Sequence, residues 1–136
     1  MPDIAFLAAR VMLSLFFILS GFAKLMAIAG IAGMLQRAGI PEPRLVGYAF
    51  GVFELVAGLM VLVGFMTRWA SLALLVYTAI LIFLAHAFWK LDGVQYAMQQ
   101  TQALKNLAIM GGLLLLAFAG PGSLSIDARG RRASWR

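Results

Sequence analysis

One acid interrupts a long apolar stretch of the chain, the segment GYAFGVFELVAG at residues 47–58. This acid is Glu54, and an ionisable residue inside an apolar segment commonly marks an ion pair, a proton relay or a ligand site. Basic residues interrupt or end the other apolar segments, at Arg10, Lys24, His86 and Lys105. Side chains of these types can donate hydrogen bonds to a ligand carbonyl and move protons to it. They are the candidate ligand-binding residues, with Trp89 as a flat aromatic contact.

The composition indicates that these residues lie in helices that cross a membrane. The chain has 136 residues, of which 63% are hydrophobic and 12% charged, and its mean hydropathy is +0.95. A helix needs about 20 mainly apolar residues to cross the hydrocarbon core, and backbone groups in lipid must be bonded within their own segment. Segments of this kind lie at residues 4–22, 45–64, 70–89 and 103–119. We therefore predict an all-α polytopic membrane protein, a four-transmembrane-helix bundle.

The connecting segments indicate how these spans are joined. FMTRW, at residues 65–69, is short enough for a tight turn, so the second and third spans should form an antiparallel hairpin. The first loop carries Ile28, Ile31, Met34 and Leu35 at helical spacing before a glycine and two prolines, which predicts a short interfacial helix. We divide the chain into a membrane domain at residues 1–128 and a basic tail at residues 129–136.

Each span has a face on which small and polar residues recur. Positions i, i+4, i+7 and i+11 share a helix face, and from Gly47 these positions are Gly51, Glu54 and Gly58. Because glycines let a second helix approach closely, this face is expected to point into the bundle. We expect the inward faces of the other spans at Arg10, Ser14, Phe17, Gly21 and Lys24, at Thr78, Ile82, His86 and Trp89, and at Lys105, Ile109, Gly112 and Ala119.

Depth along the helices predicts two clusters of ionisable groups. Glu54 lies near mid-membrane, and the long side chain of Arg10 is expected to reach it as an ion pair. Lys24, His86 and Lys105 fall near the opposite ends of their spans and are expected to form a basic cluster above that pair. The alternatives are structural: an ion pair that only sets helix register, a lysine that reaches the headgroups and an interfacial histidine.

Composition also limits the function. The chain contains no cysteine and one histidine, which excludes disulfides and cysteine-ligated metal or iron–sulfur sites within these residues and argues against a metal site. The formal net charge is +6, but the cations are scattered at span ends and in the tail, which indicates anionic lipid as the partner and not nucleic acid. The arginines of the tail favour both termini in the cytoplasm.

Several short motifs follow one another in a characteristic order, namely LSGFAKL, AGIPEP, FELVAGLMVLVGFMTRWA, AHAFW, LKNLAIMGGLLLL and GPGSLSIDAR. In this order and spacing the chain resembles the DoxX family of small four-span proteins of the bacterial inner membrane, over nearly its whole length. The positions that match residues characteristic of the family are Arg10, Gly21, Lys24, Pro41, Glu54, Gly58, Gly64, Arg68, His86, Lys105, Asn106, Gly112 and Asp127. The family pattern marks them as characteristic and does not make them catalytic.

The resemblance also implies a functional context. The related DoxD subunit belongs to a thiosulfate:quinone oxidoreductase, and some DoxX proteins are described as membrane partners of sulfur-transfer and superoxide-handling enzymes. The hypothesis that follows is a redox-associated membrane subunit that binds a quinone or a similar lipophilic ring. It has no self-contained catalytic site, so a redox partner protein would supply the electrons. Two alternatives stay open: a non-catalytic scaffold for partner proteins, and a small-solute or proton carrier that works as a homo-oligomer.

Overall fold

The computed structural model describes residues 2–133, and their regular secondary structure is helical throughout. The helices are α1 (Pro2–Met26), α2 (Ile28–Arg37), α3 (Pro43–Val63), α4 (Thr67–Ala85), α5 (Gly93–Ala119) and α6 (Ile126–Ala133), with a 3₁₀ turn at Phe88–Lys90. Helices α1, α3, α4 and α5 are long and apolar enough to cross a membrane. The predicted four-span bundle and the short helix in the first loop, α2, are confirmed.

The helix ends differ from the predicted spans mainly around the last loop. Helix α5 begins at Gly93 and not at Ala103, because the polar segment before Ala103 is rich in glutamine, which favours helix. Helix α4 ends at Ala85, short of Trp89, since His86 leaves the helical conformation. Helix α6 covers the first part of the basic tail, and residues 134–136 lie outside the described residues.

The turn between α3 and α4 depends on two left-handed residues. Gly64 ends α3 with φ +73°, and Met66 precedes α4 with φ +46°. Glycine adopts this conformation without the steric cost that a Cβ brings. The turn confirms the antiparallel hairpin and defines two ends of the bundle. We call the end that holds this turn, the start of α1 and helix α6 the terminal side, and the end that holds α2 and the 3₁₀ turn the loop side.

Helices α1 and α3 pack most closely, along the predicted glycine stripe. A Cβ added at Gly21 would lie 2.7 Å from the carbonyl oxygen of Gly51 and 2.8 Å from the amide nitrogen of Leu55. A Cβ at Gly58 would lie 3.2 Å from the Cβ of Phe17. The backbones therefore meet at a distance that only glycine allows, as in other close membrane helix pairs.

All four spans contribute to an apolar core. Its buried residues are Phe17 of α1, Ala57 and Val61 of α3, Ala70 and Leu74 of α4, and Leu113 and Leu116 of α5. Phe17, Val61, Leu74 and Leu113 are at most 1% exposed. This core fills the middle of the bundle and the half nearer the terminal side.

The predicted inward faces are confirmed for α1 and α3 and only in part for α5, where Ile109 packs against the core and Gly112 lies against Leu13 of α1. Arg10, Ser14 and Phe17 are at most 1% exposed. On α5, however, the buried residues are Ala103, Asn106, Leu113, Leu116 and Ala117, whereas Lys105 and Ala119 are exposed. Neighbouring positions differ by about 100° around a helix, so the stripe of alanine and leucine that faces the core turns Lys105 away from it.

The inward face proposed for the third span is only partly formed. Thr78 is buried, and its hydroxyl donates to the carbonyl oxygen of Leu74. Ile82 and His86 are half-buried. Trp89 lies beyond the end of α4 and is 50% exposed, where its ring packs against Phe83 and Phe88.

Candidate functional site

A buried ion pair joins α1 to α3 on the loop side of the core. The ammonium group of Lys24 donates to both carboxylate oxygens of Glu54, at 3.0 and 2.8 Å, and to the hydroxyl of Ser20 at 2.6 Å. Glu54 is 1% exposed, and the Lys24 side chain is 19% exposed. The Glu54 carboxylate is therefore buried, whereas the Lys24 side chain remains partly accessible from the protein surface.

Arg10 does not pair with Glu54, so that prediction is wrong. Helix α1 runs antiparallel to α3, which places Arg10 beside Gly64 and Lys24 near Glu54. Side chains on a helix lean toward its N-terminus. Lys24 therefore leans inward from the loop side, whereas Arg10 leans away from Glu54 toward the terminal side. Gly64 and Glu54 lie about 15 Å apart along α3.

Tyr77 is the third polar group at the ion pair. Its hydroxyl lies near the Glu54 carboxylate and interacts with it electrostatically, but it is outside hydrogen-bonding geometry with any described residue. Residue 77 is 7% exposed. We call Lys24, Ser20, Glu54 and Tyr77 the loop-side cluster, and one hydroxyl of this cluster is buried without a hydrogen bond.

The Tyr77 ring also lines an apolar groove between α3 and α4. The ring centroids of Phe50 and Phe53 lie 5.2 and 5.1 Å from that of Tyr77. Two adjoining cavities of about 560 and 660 Å³ share Phe53 and Trp69 in their walls. We call this the aromatic groove. Tyr77 thus stands between the groove and the buried ion pair, with its ring in the wall of one and its hydroxyl beside the other.

The predicted basic cluster of Lys24, His86 and Lys105 is not assembled. Lys105 is exposed on α5, hydrogen-bonded to Gln102 and positioned 5.4 Å from the centroid of the Phe16 ring. The Nδ1 atom of His86 lies 2.7 Å from the amide oxygen of Gln99. Lys24 is held by Glu54 instead, because the acid is the nearest group that compensates its charge.

A second polar cluster lies on the terminal side. The Asp127 carboxylate accepts hydrogen bonds from the backbone amides of Met66 and Thr67 and from the Thr67 hydroxyl, at 2.8 to 2.9 Å. The Asp127 amide donates to the carbonyl oxygen of Gly64 at 2.9 Å. These bonds cap the start of α4 and fasten the C-terminal segment to the turn between α3 and α4.

Arg10 completes this terminal-side cluster, which we define as Arg10, Gly64, Thr67, Asp127 and the carbonyl of Leu124. Arg10 is 1% exposed and donates from Nη2 to the carbonyl oxygen of Leu124. Its charge is attracted to Asp127, while Nε and Nη1 make no hydrogen bond within residues 2–133. The cluster ties the first span to the last described segment of the chain.

Ser20 and Tyr77 were missed by the sequence interpretation, although each carried a signal. Ser20 precedes Lys24 by four residues, a spacing at which helix side chains meet. Tyr77 stands alone as a polar aromatic residue in the apolar run LALLVYTAIL. Its proximity to Glu54 arises from the antiparallel packing of α3 and α4, which spacing within one span does not reveal.

Comparison with known proteins places the chain in a family. The DoxX family model matches residues 5–87. Inner membrane protein YqjF of Escherichia coli is 35% identical over 130 residues, which cover 93% of this chain and 92% of that protein. Inner membrane protein YphA of the same organism is 33% identical over 123 residues, with 90% and 88% covered.

A further relative comes from another organism. Membrane protein Rv3486 of Mycobacterium tuberculosis is 31% identical over 134 residues, which cover 88% of this chain and 77% of that protein. No solved structure matches the chain. The family match, the inner-membrane relatives and the four membrane-spanning helices agree, and the chain belongs to the DoxX family as an integral inner-membrane protein.

Proposed function

We propose that this protein is a redox-associated membrane subunit that binds a lipophilic ring compound of the quinone type in the aromatic groove. The observation that carries the proposal is the position of Tyr77. Its ring lines an apolar groove of about 660 Å³, and its hydroxyl lies beside a buried lysine–glutamate pair. Ligand sites are typically apolar cavities of about 300–1,000 Å³ with a few convergent polar groups.

The residues around the aromatic groove have different roles in the proposed binding. Phe50 and Phe53 offer flat surfaces against which a planar ring packs. Tyr77 supplies the hydrogen-bond donor for a ring carbonyl after a side-chain rotation that brings its hydroxyl toward the groove. The ion pair of Glu54 and Lys24 lies next to that donor. Because Lys24 is partly exposed, it offers a route for protons to the loop side.

The remaining candidate residues lie outside the proposed binding site. Arg10 lies in the terminal-side cluster, and Lys105 is exposed on α5. His86 and Trp89 lie at the loop-side end of α4 and beyond it. The electrons for any reduction of the ligand come from a redox partner protein. Both termini stay assigned to the cytoplasm as a prediction.

Mass spectrometry of organic extracts tests the proposal. The protein is purified in mild detergent, extracted and assayed for quinones and related lipophilic compounds per mole of protein. We expect near-equal stoichiometry for the unmodified chain and at least a tenfold loss in Glu54→Gln and Tyr77→Phe. Both substitutions keep side-chain size and so retain the packing of the bundle, and the loss is compared at equal amounts of folded protein.

Matched controls separate binding from general damage. Tyr48→Phe removes the same hydroxyl from an exposed position on α3, and Lys105→Met removes an exposed cation. Both should retain the compound. Bulk phospholipid alone in every sample, or equal loss in Tyr48→Phe and Tyr77→Phe, would contradict the proposal.

A membrane scaffold is the second candidate, supported by the terminal-side cluster. That cluster fastens the first turn of α6 to the bundle through Asp127, which holds a helix with exposed Arg129 at this end of the bundle. Such an element could present a fixed docking site to a partner protein. Removal of residues 129–136, which keeps Asp127 and its bonds to the turn, should then abolish partner capture while the extracted compound is retained. A carrier would require an oligomer, because fully buried apolar residues fill the middle of the single bundle.

A further inference from the structure

A separate pocket lies on the loop side, at the ends of α2 and α4. It has a volume of about 540 Å³ and is lined by residues of α2, α4, the 3₁₀ segment and α5. Met34, Phe83, Leu84 and Leu91 supply apolar surface. The pocket shares no lining residue with the aromatic groove, so an inference about it stands apart from the function proposed above.

The polar groups at this pocket are cations and an amide. Arg37 and Lys90 both line it, and both are exposed. Within residues 2–133, neither side chain forms an ion pair with a carboxylate, and no acidic residue lines the pocket. The positive charge of the two side chains is therefore available to an anion.

Gln99 adds a neutral donor to the same wall. Its amide oxygen is engaged by Nδ1 of His86 at 2.7 Å, which leaves its amide nitrogen as a donor. His86 thereby orients a side chain that lines the pocket, although it does not line the pocket itself. This gives the histidine, which the proposed quinone site does not use, a positioning role.

We propose that this pocket binds an anionic phospholipid. Arg37 and Lys90 hold the headgroup phosphate, and the apolar surface of Phe83 and Leu84 holds the first part of an acyl chain. Guanidinium and ammonium groups bind phosphate through charge-assisted hydrogen bonds. The combination fits one amphiphile better than a free anion, which would leave the apolar wall uncovered.

The position of the pocket matches the depth of a headgroup. It lies where α4 ends at Ala85 and the chain turns through Phe88–Lys90 before α5 begins. Aromatic residues gather at the same level, since Phe88 packs against both Trp89 and Tyr96. Such aromatic residues typically mark the boundary between hydrocarbon and headgroups.

Native mass spectrometry of the full chain tests this assignment. The protein is exchanged into an equimolar mixture of long-chain phosphatidylglycerol and phosphatidylcholine, and retained lipids are counted. We expect preferential retention of phosphatidylglycerol. Each basic residue near a membrane surface changes affinity for anionic lipid roughly fivefold, so the preference should fall about 25-fold in Arg37→Gln/Lys90→Gln.

The control variant is Arg44→Gln/Arg68→Gln, which removes the same charge from two exposed residues outside the pocket. It should keep the preference, and both variants should keep the thermal midpoint of the unmodified chain. Equal loss in the two double variants would show attraction to overall charge and overturn the site. Displacement of the lipid by inorganic phosphate, or equal retention of a short-chain phosphatidylglycerol, would also overturn it, because the apolar wall would then contribute nothing.

Discussion

The two polar clusters of the bundle each place one cation and one acid in a largely apolar protein, yet they differ in what holds them. On the terminal side, the Asp127 carboxylate binds backbone amides and a threonine hydroxyl, and Arg10 donates to a backbone carbonyl. On the loop side, Lys24, Ser20 and Glu54 bind one another through side chains alone.

This difference indicates a structural role for the terminal-side cluster and a loop-side cluster that can respond to a ligand. A cluster bonded to backbone can rearrange only if a helix start or a turn rearranges with it. A cluster of side chains can change partners by rotation, at the cost of exchanging hydrogen bonds. The buried Tyr77 hydroxyl, without a hydrogen bond in the described part of the chain, gives the loop-side cluster a group ready for such an exchange.

The largest expected effect concerns the two members of the ion pair. Lys24→Met leaves the Glu54 carboxylate, 1% exposed, without its counter-charge, and should lower the free energy of unfolding by about 3–5 kcal/mol. Glu54→Gln should cost less, about 1–2 kcal/mol, because the partly exposed lysine keeps Ser20 and can turn to the surface. Thermal and denaturant unfolding in detergent measure both.

The double variant Lys24→Met/Glu54→Leu refines that test. Replacing both members of a buried pair by apolar residues is often nearly neutral. Recovery of stability without recovery of the extracted compound would assign the pair to binding and not to folding. Equal losses in the two single variants would contradict the unequal burial on which the prediction rests.

The next effect concerns the backbone of the terminal-side cluster. Gly64→Ala should lower the free energy of unfolding by about 2–3 kcal/mol, since an alanine at φ +73° is strained and its Cβ would overlap the Arg10 guanidinium. Retention of the compound in the aromatic groove should be unchanged. The same unfolding and extraction measurements apply.

Gly111→Ala is the matched control for Gly64→Ala. A Cβ at residue 111 of α5 meets no atom within 4 Å, so the substitution should be neutral or stabilise the helix by up to about 1 kcal/mol. A loss of retained compound in Gly64→Ala would show that the two clusters are coupled, against the independence inferred from their different partners.

The smallest effect is expected for a cation outside both clusters. Lys105→Met removes a hydrogen bond to Gln102 and a contact with the Phe16 ring. Exposed contacts of this kind contribute about 0.5–1 kcal/mol, so the unfolding midpoint should hardly move and the compound should be retained. A large loss of the compound would return Lys105 to the binding site and disprove its separation from Lys24.

Much of the fold followed from local patterns in the sequence. Long apolar segments become spanning helices because backbone groups in lipid must bond within their own segment. The face from Gly47 to Gly58 pointed inward as expected, since the spacing of small residues along one helix already defines that face. The first-loop helix likewise followed from Ile28, Ile31, Met34 and Leu35, of which Ile31 and Leu35 are buried.

Pairing across helices was not encoded in such local patterns. Arg10 and Lys24 lie on the same face of α1, and each could have been assigned to Glu54. The choice depends on how far α1 slides along α3, which the contacts of Gly21 and Gly58 determine. The rotation of α5, which exposes Lys105, likewise follows from the apolar residues that its neighbours cover.

By itself, the sequence determined that this is a four-span helical membrane protein with an acid facing the interior of its bundle. These properties depend on hydropathy and helical period, which are local. Only the tertiary structure decided that Lys24 holds that acid, that Tyr77 joins them, and that Arg10 is engaged by the C-terminal segment. Those partnerships depend on the vertical register and rotation of packed helices, which the close contacts between different spans determine together.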